Sequence, residues 1–167
     1  EPHKFLFTLH NPSVMPFLQY AENRELREKI WTAYQNKGNN NNEFNNKDIV
    51  VDIANLRLEK AKLLGFDSHA EYALENTMAK TPENVNNLLN KLWEPAKNKA
   101  NKELADISDL ASKDGIDKVQ PWDWRYYTEK IRKEKYNLSE DELRPYFSLD
   151  NVTEGVFGVT KKLFGLT

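Results

Sequence analysis

Cysteine is absent from all 167 residues. That omission removes disulfides, thiol catalysis and thiolate metal sites in one step. Histidine is scarce too, with only His3, His10 and His69. Six glycines, scattered or at helix ends, leave no glycine-rich loop to cradle a phosphate. Neither sign of charge dominates: 24 Lys and Arg stand against 26 Asp and Glu, for a net charge of −2. The bases are interleaved with the acids, so no basic face offers itself to nucleic acid. No apolar run approaches the roughly 18 residues that a bilayer crossing needs, so no membrane partner is expected. An initiator methionine and a secretory leader are also missing. Glu1-Pro2-His3 leads straight into Lys4-Phe5-Leu6-Phe7-Thr8-Leu9, and Leu163-Phe164-Gly165-Leu166-Thr167 stops just past an apolar-periodic run. Both ends read as interior points of a longer protein.

What is present points to helices. Lys4 to Leu9 is too brief to decide between a strand and an extended lead-in. Ser13 is expected to cap a helix to about Ala21, with Pro16 in its first turn. A second helix is predicted from Arg24 to about Lys37, with Leu26, Ile30, Ala33 and Tyr34 on one face and Gly38 as its stop. Asn39 to Asn46 is asparagine-rich and reads as a solvated surface loop. The run from Lys47 to Leu64 places Ile49, Ile53, Leu56, Leu63 and Leu64 at helical spacing, ended by Gly65. Ser68-His69-Ala70-Glu71 has the form of a capping box for a short helix. Thr81-Pro82-Glu83 opens the longest helix, whose steps of three and four run from Val85 to Ala111, with a kink expected near Lys91 from Pro95.

The remaining third continues in kind. Pro121 starts a helix to about Tyr136, and Ser139-Glu140-Asp141-Glu142 has the form of a second capping box for a short helix to Arg144. Pro145 to Leu149 reads as extended. Asp150 is expected to cap a last helix to Phe164, with Val152, Val156, Val159, Leu163 and Phe164 apolar. The fold class is therefore all-α, an irregular multi-helix array without internal repeat.

The search for chemistry finds little. His69-Ala70-Glu71-Tyr72-Ala73 lacks both the adjacent glutamate and the second histidine that a His-Glu-x-x-His zinc helix requires. Ser13 and Ser68, the serines near histidines, are better explained as caps than as nucleophiles. Glu140-Asp141-Glu142 sits where acids stabilise a helix dipole. No catalytic or metal-ligating residue is assigned.

One stretch stands out. In Pro121-Trp122-Asp123-Trp124-Arg125-Tyr126-Tyr127, four large aromatics, an acid and a base crowd behind a proline. Trp122, Tyr126 and Lys130 fall on one helical face. Asp123 can neutralise the helix start, and Arg125 can pair with Glu129 one turn on. Aromatics at helical spacing are usually core, so a buried junction is the favoured reading. The alternative makes Trp122, Trp124, Arg125, Tyr126 and Tyr127 the wall of a peptide-binding cleft.

Together with Asn23-Arg24-Glu25-Leu26-Arg27-Glu28, Asn55 to Phe66 and Tyr146-Phe147-Ser148-Leu149-Asp150, this stretch resembles the zinc oligopeptidase family. That family includes thimet oligopeptidase, neurolysin and the bacterial peptidyl-dipeptidases. Leu56 to Phe66 is similar to its Leu-Arg-x-Glu-Lys-Ala-x-Leu-Leu-Gly-Tyr element, with Phe66 in place of tyrosine. Trp122-Asp123 and Tyr126-Tyr127 match a Trp-Asp-x-x-Tyr-Tyr pattern, and Trp124-Arg125 between them favours the peptidyl-dipeptidase branch. The resemblance implies a larger helical metallopeptidase with a deep central channel, of which residues 1–167 are an internal segment. It implies short peptides as substrates, release of C-terminal dipeptides, and zinc in the complete protein with none bound here. It places the zinc motif downstream of this chain and the rest of the polypeptide around it. A cytoplasmic location is expected, with export left open. A free-standing helical module that binds peptide or protein is the competing reading.

Overall fold

The computed structural model describes residues 5–137 and 140–166, with the side chains of Glu140 and Asp141 set aside. Among these residues every regular element is helical: α1 Asn11–Tyr20, α2 Arg24–Gln35, α3 Lys47–Leu63, α4 His69–Leu74, α5 Pro82–Lys113, α6 Pro121–Tyr136, α7 Glu140–Leu143 and α8 Leu149–Phe164. Residues 5–8 form no strand. The all-α expectation holds.

Local chemistry sets most boundaries. Asn23 caps α2 by accepting from Leu26 N–H at 3.0 Å, and Thr81 caps α5 by accepting from Asn84 N–H at 3.2 Å. Ser68 caps α4 through Glu71 N–H, while the Glu71 carboxylate reaches back one residue beyond the cap, to Asp67 N–H. Gly65 and Gly115 take φ of +85° and +76° just past α3 and α5, a conformation that costs glycine little. Beyond each, Phe66 N–H and Ile116 N–H return to the carbonyls of Ala61 and Ala111. The helical run of α5 continues through Pro95 for 32 residues.

Four expectations are corrected. His10, not Ser13, precedes α1; Ser13 lies inside the helix and its hydroxyl accepts from Thr8 N–H. Starting the helix at Asn11 puts Pro16 in the second turn, where it removes the bond to the Pro12 carbonyl. Ser148, not Asp150, caps α8 by accepting from Asn151 N–H, since the helix begins two residues earlier. Arg144–Phe147 winds as a 3-10 turn where an extended segment was expected, with Pro145 tolerated near its start. The Ser139 end of the second capping box lies outside the described residues.

Packing is concentrated at one corner. Among the described residues, α1 lies against α2 and α6, α2 against α6, and α6 against α5, while α3 touches α4 alone of the helices and α4 touches α5. The core is small: Ile107 and Ala111 of α5 close on Tyr127 of α6, flanked by Leu110, Ile116, Val119, Trp124, Tyr126 and Ile131. Val14 and Leu18 bury one face of α1. The predicted face of α2 does not hold, because Leu26 is half exposed while Arg27 is fully buried. Many large apolar side chains of α3, α5 and α8 meet solvent.

This division gives a direct test. Ile107→Ala removes packing in the closed core and should cost about 2–5 kcal/mol. Leu63→Ala, on a side chain 87 % exposed, should change stability by less than about 0.5 kcal/mol. Urea unfolding followed by helical circular dichroism measures both.

Candidate functional site

The aromatic stretch forms the first two turns of α6, and its chemistry is organised around Asp123. That carboxylate is fully buried. As the third residue of the helix it accepts from Gln120 N–H at 3.0 Å, the carboxylate limb of a capping box. Two arginines of α2 converge on it. Arg24 donates through Nε to Oδ1 and Oδ2 at 3.0 and 3.1 Å and through Nη2 to Oδ2 at 2.8 Å. Arg27 donates through Nη2 to Oδ1 at 3.0 Å.

Arg27 spends its other donors on backbone. Its Nη1 reaches the Ala21 and Glu22 carbonyls, at the end of α1, and its Nε reaches the Trp122 carbonyl. Arg24 adds a bond to the Lys118 carbonyl. Burial works to raise the Asp123 carboxyl, but hydrogen bonds from Arg24, from the Gln120 backbone and from Arg27 prevail and hold it below its ordinary range. A charge-paired, fully hydrogen-bonded carboxylate of this kind fixes geometry; it is not poised to move a proton.

The aromatics wrap this clasp. Trp122 packs on Trp31 of α2 with centroids 5.6 Å apart. Its indole Nε1 is buried without a hydrogen-bond partner among the described residues. The Arg27 guanidinium lies 4.2 Å from the Tyr126 ring centroid, and Lys130 Nζ lies 4.5 Å from it. Tyr127 is buried and donates its hydroxyl to Asp114 Oδ2 at 3.0 Å, at the end of α5. Lys130 donates to the same oxygen. Burial, with the Asp114 hydrogen bond behind it, raises the Tyr127 phenol to about 12, so it stays a donor. Lys130 first, and Tyr127 second, hold the Asp114 carboxyl low.

Trp124 and Arg125 point elsewhere. Trp124 rests one edge on the Ile107–Ala111–Tyr127 core and turns another to a groove lined also by Gln19, Pro121, Thr128, Glu129 and Arg132. Arg125 is exposed on the same groove. The expected Arg125–Glu129 pair is not what engages Glu129. Arg132 takes that carboxylate in a two-pronged contact at 2.8 Å, and Gln19 of α1 donates to it at 2.7 Å. The five candidates thus divide: Trp122, Tyr126 and Tyr127 buttress the clasp, and Trp124 and Arg125 front the groove.

The sequence reading missed Arg24 and Arg27 as site residues. The signal lay in Asn23-Arg24-Glu25-Leu26-Arg27-Glu28, where the two arginines sit one turn apart and so share a face. Metal-binding geometry is not found: among the described residues no three His, Asp or Glu side chains come together to hold an ion. His10 precedes α1 and His69 opens α4, on separate elements.

Among the described residues the most elaborated polar feature of this all-helical array is the ionic clasp between α2 and α6. The chain belongs to peptidase family M3, whose model matches residues 17–167. It is 40% identical over 169 residues to probable cytosolic oligopeptidase A of Arabidopsis thaliana, which it covers to 23% while matching over 97% of its own length. Against oligopeptidase A of Escherichia coli the identity is 37% over 168 residues, covering 98% of this chain and 25% of that protein. Against the dipeptidyl carboxypeptidase of the same organism it is 36% over 166 residues, covering 98% and 24%. The chain therefore spans about a quarter of the length of the curated relatives it matches.

Removing the Asp123 carboxylate strands Arg27 in the interior. Asp123→Ala should cost about 3–5 kcal/mol in chemical unfolding, whereas Arg125→Ala should cost less than about 0.5 kcal/mol. The acid limb carries a second test. Asp123 titrates lower in the fold than in the unfolded chain, so its contribution is fully present above the unfolded carboxyl range. It is lost as pH falls through the depressed folded value. The Asp123→Asn variant should lose stability near neutrality and show a shallower further loss on acidification.

Proposed function

We propose that this chain is an internal scaffold segment of a zinc-dependent metallopeptidase that hydrolyses short peptides. The observation that carries the reading is the family match across residues 17–167, joined by identities near 40% to proteins named as oligopeptidases and a dipeptidyl carboxypeptidase. We assign the longer protein to the peptidyl-dipeptidase type, releasing C-terminal dipeptides. Trp124 and Arg125, between Trp122-Asp123 and Tyr126-Tyr127, favour that branch, although the identities to oligopeptidase A and to dipeptidyl carboxypeptidase are nearly equal. A cytoplasmic location fits the reading; among the described residues no helix is long and apolar enough to cross a membrane.

The residues present do not fit a zinc ion, because no cluster of donors converges among those described. The ligands, and the steps that use them, belong to other parts of the polypeptide. The work of this segment is positional. The Arg24–Arg27–Asp123 clasp locks the corner between α1 and α2 to the start of α6. That lock fixes how α6 presents Trp124 and Arg125 to their groove. Peptide contact is assigned to these two, since an aromatic face beside an arginine suits a peptide backbone and its carboxylates. Trp122, Tyr126 and Tyr127 are given the supporting role.

The test uses the longer polypeptide and an internally quenched peptide, with products read by mass spectrometry. Expected are C-terminal dipeptide products, loss of turnover on chelation and recovery with zinc. Residues 1–167 alone should hydrolyse nothing. In the longer protein, Arg125→Ala should raise KM several-fold without lowering Tm. Hydrolysis indifferent to chelation would overturn the zinc reading, and tight peptide binding without hydrolysis would favour a helical binding module.

A further inference from the structure

Helix α3 is apolar on two opposite sides. Ile49, Ile53, Leu56 and Leu63 follow one another at helical spacing along one side. Val50, Val51, Ala54, Leu58 and Ala61 fall on the other. Only Ala61 is buried, at the end that meets α4. Ile49, Val50, Val51, Ile53 and Leu56 are each 44–64 % exposed. Between the two apolar sides a polar ridge of Asp48, Asp52, Asn55, Glu59 and Lys62 runs along one flank at steps of four and three; Arg57 stands on the other flank, and Lys60 interrupts the first side near its C-terminal end, against Tyr72 of α4.

A helix that carries apolar side chains on two opposite sides has two faces to cover; a surface helix carries one stripe. The middle of α5 shows the contrast. There Leu88, Leu89, Leu92 and Trp93 form one exposed stripe, opposed by Asn86, Asn87, Asn90, Lys91 and Glu94.

We infer that in the complete protein α3 is a central helix, sandwiched between two further apolar helical faces of the same polypeptide, with the Asp48–Asp52–Asn55–Glu59–Lys62 ridge on one flank and Arg57 on the other left to water. Two observations select this occupant. A two-fold pairing of identical chains uses one self-complementary patch, which covers one side of a helix and leaves the other bare. The relatives are about four times as long as this chain, so ample polypeptide exists to supply two layers. The inference rests on the reading of the chain as a segment of a longer protein, but not on the peptidase activity assigned to it.

Single cysteines in the longer polypeptide, with any other cysteines replaced, test the arrangement. This segment contributes none of its own. Positions Val51 and Ile53 sample the two apolar sides; Asp52 and Glu59 sample the ridge. Under native conditions, maleimide should label V51C and I53C roughly a hundredfold more slowly than in urea, and label D52C and E59C within a few-fold of the urea rate. Fast labelling at Val51 or Ile53 would overturn the proposal. Protection that appears only as concentration rises, together with a doubled mass in light scattering, would overturn it in favour of self-association. Hydroxyl-radical footprinting of the unsubstituted protein reads Leu56 and Leu58 directly if a cysteine variant misfolds. Oxidation of either at its unfolded rate would equally overturn the proposal. No reading depends on turnover, so an inactive protein with the expected pattern would refute the peptidase reading and leave this one standing.

Discussion

The geometry of this segment depends on one buried ion pair, Arg27 with Asp123. Taking two charges out of water is costly, and the attraction between them recovers that cost only when every remaining donor and lone pair is engaged. Here four of the five Arg27 N–H groups and both Asp123 oxygens are engaged. Arg27 distributes its guanidinium over three backbone carbonyls and the carboxylate, while Asp123 receives Arg24, Arg27 and a backbone N–H together. The value of such a pair is specificity more than stability. An apolar substitute could fill the space but would leave the end of α1 and the start of α6 free to slide. The tyrosine and lysine that grip Asp114 repeat the device on a smaller scale, half in solvent, and set α6 against the end of α5.

A polar hub explains how so small an apolar core holds four helices in register. Ile107, Ala111 and Tyr127 alone exclude little water. Hydrophobic burial is non-directional, so a core of that size leaves many neighbouring arrangements with similar energies. Hydrogen bonds with defined angles remove that degeneracy. The Trp31–Trp122 pair and the cations against Tyr126 then shield the hub from water, which strengthens the charges inside it.

The helices were legible because their signals are local. Thr81-Pro82 at the start of α5 and Gly65 after α3 each act within one turn of chain. The misplaced starts of α1 and α8 were competitions between adjacent cap candidates, which energies near 1 kcal/mol decide. The site was legible only in part. The aromatic stretch announced itself; the structure sets Trp122 against Trp31 and puts Trp124, Tyr126 and Tyr127 at the small core. The partner of Asp123 did not, because Arg27 is separated from it by 96 positions and no helical period reaches so far. An arginine on α2 looks like solvent-facing decoration until its counter-ion is known. Leu26, its neighbour, looked like core for the same reason.

That separation has a meaning for synthesis. A chain leaving the ribosome at about 5–20 residues per second exposes Arg27 roughly 5–20 s before Asp123 has been made. During that interval the future interior arginine has no counter-ion. The corner between α1 and α2 must stay open to water until the first turn of α6 arrives. Nascent α2 is thus a waiting half-site, committed to its final position by a residue translated 96 positions later.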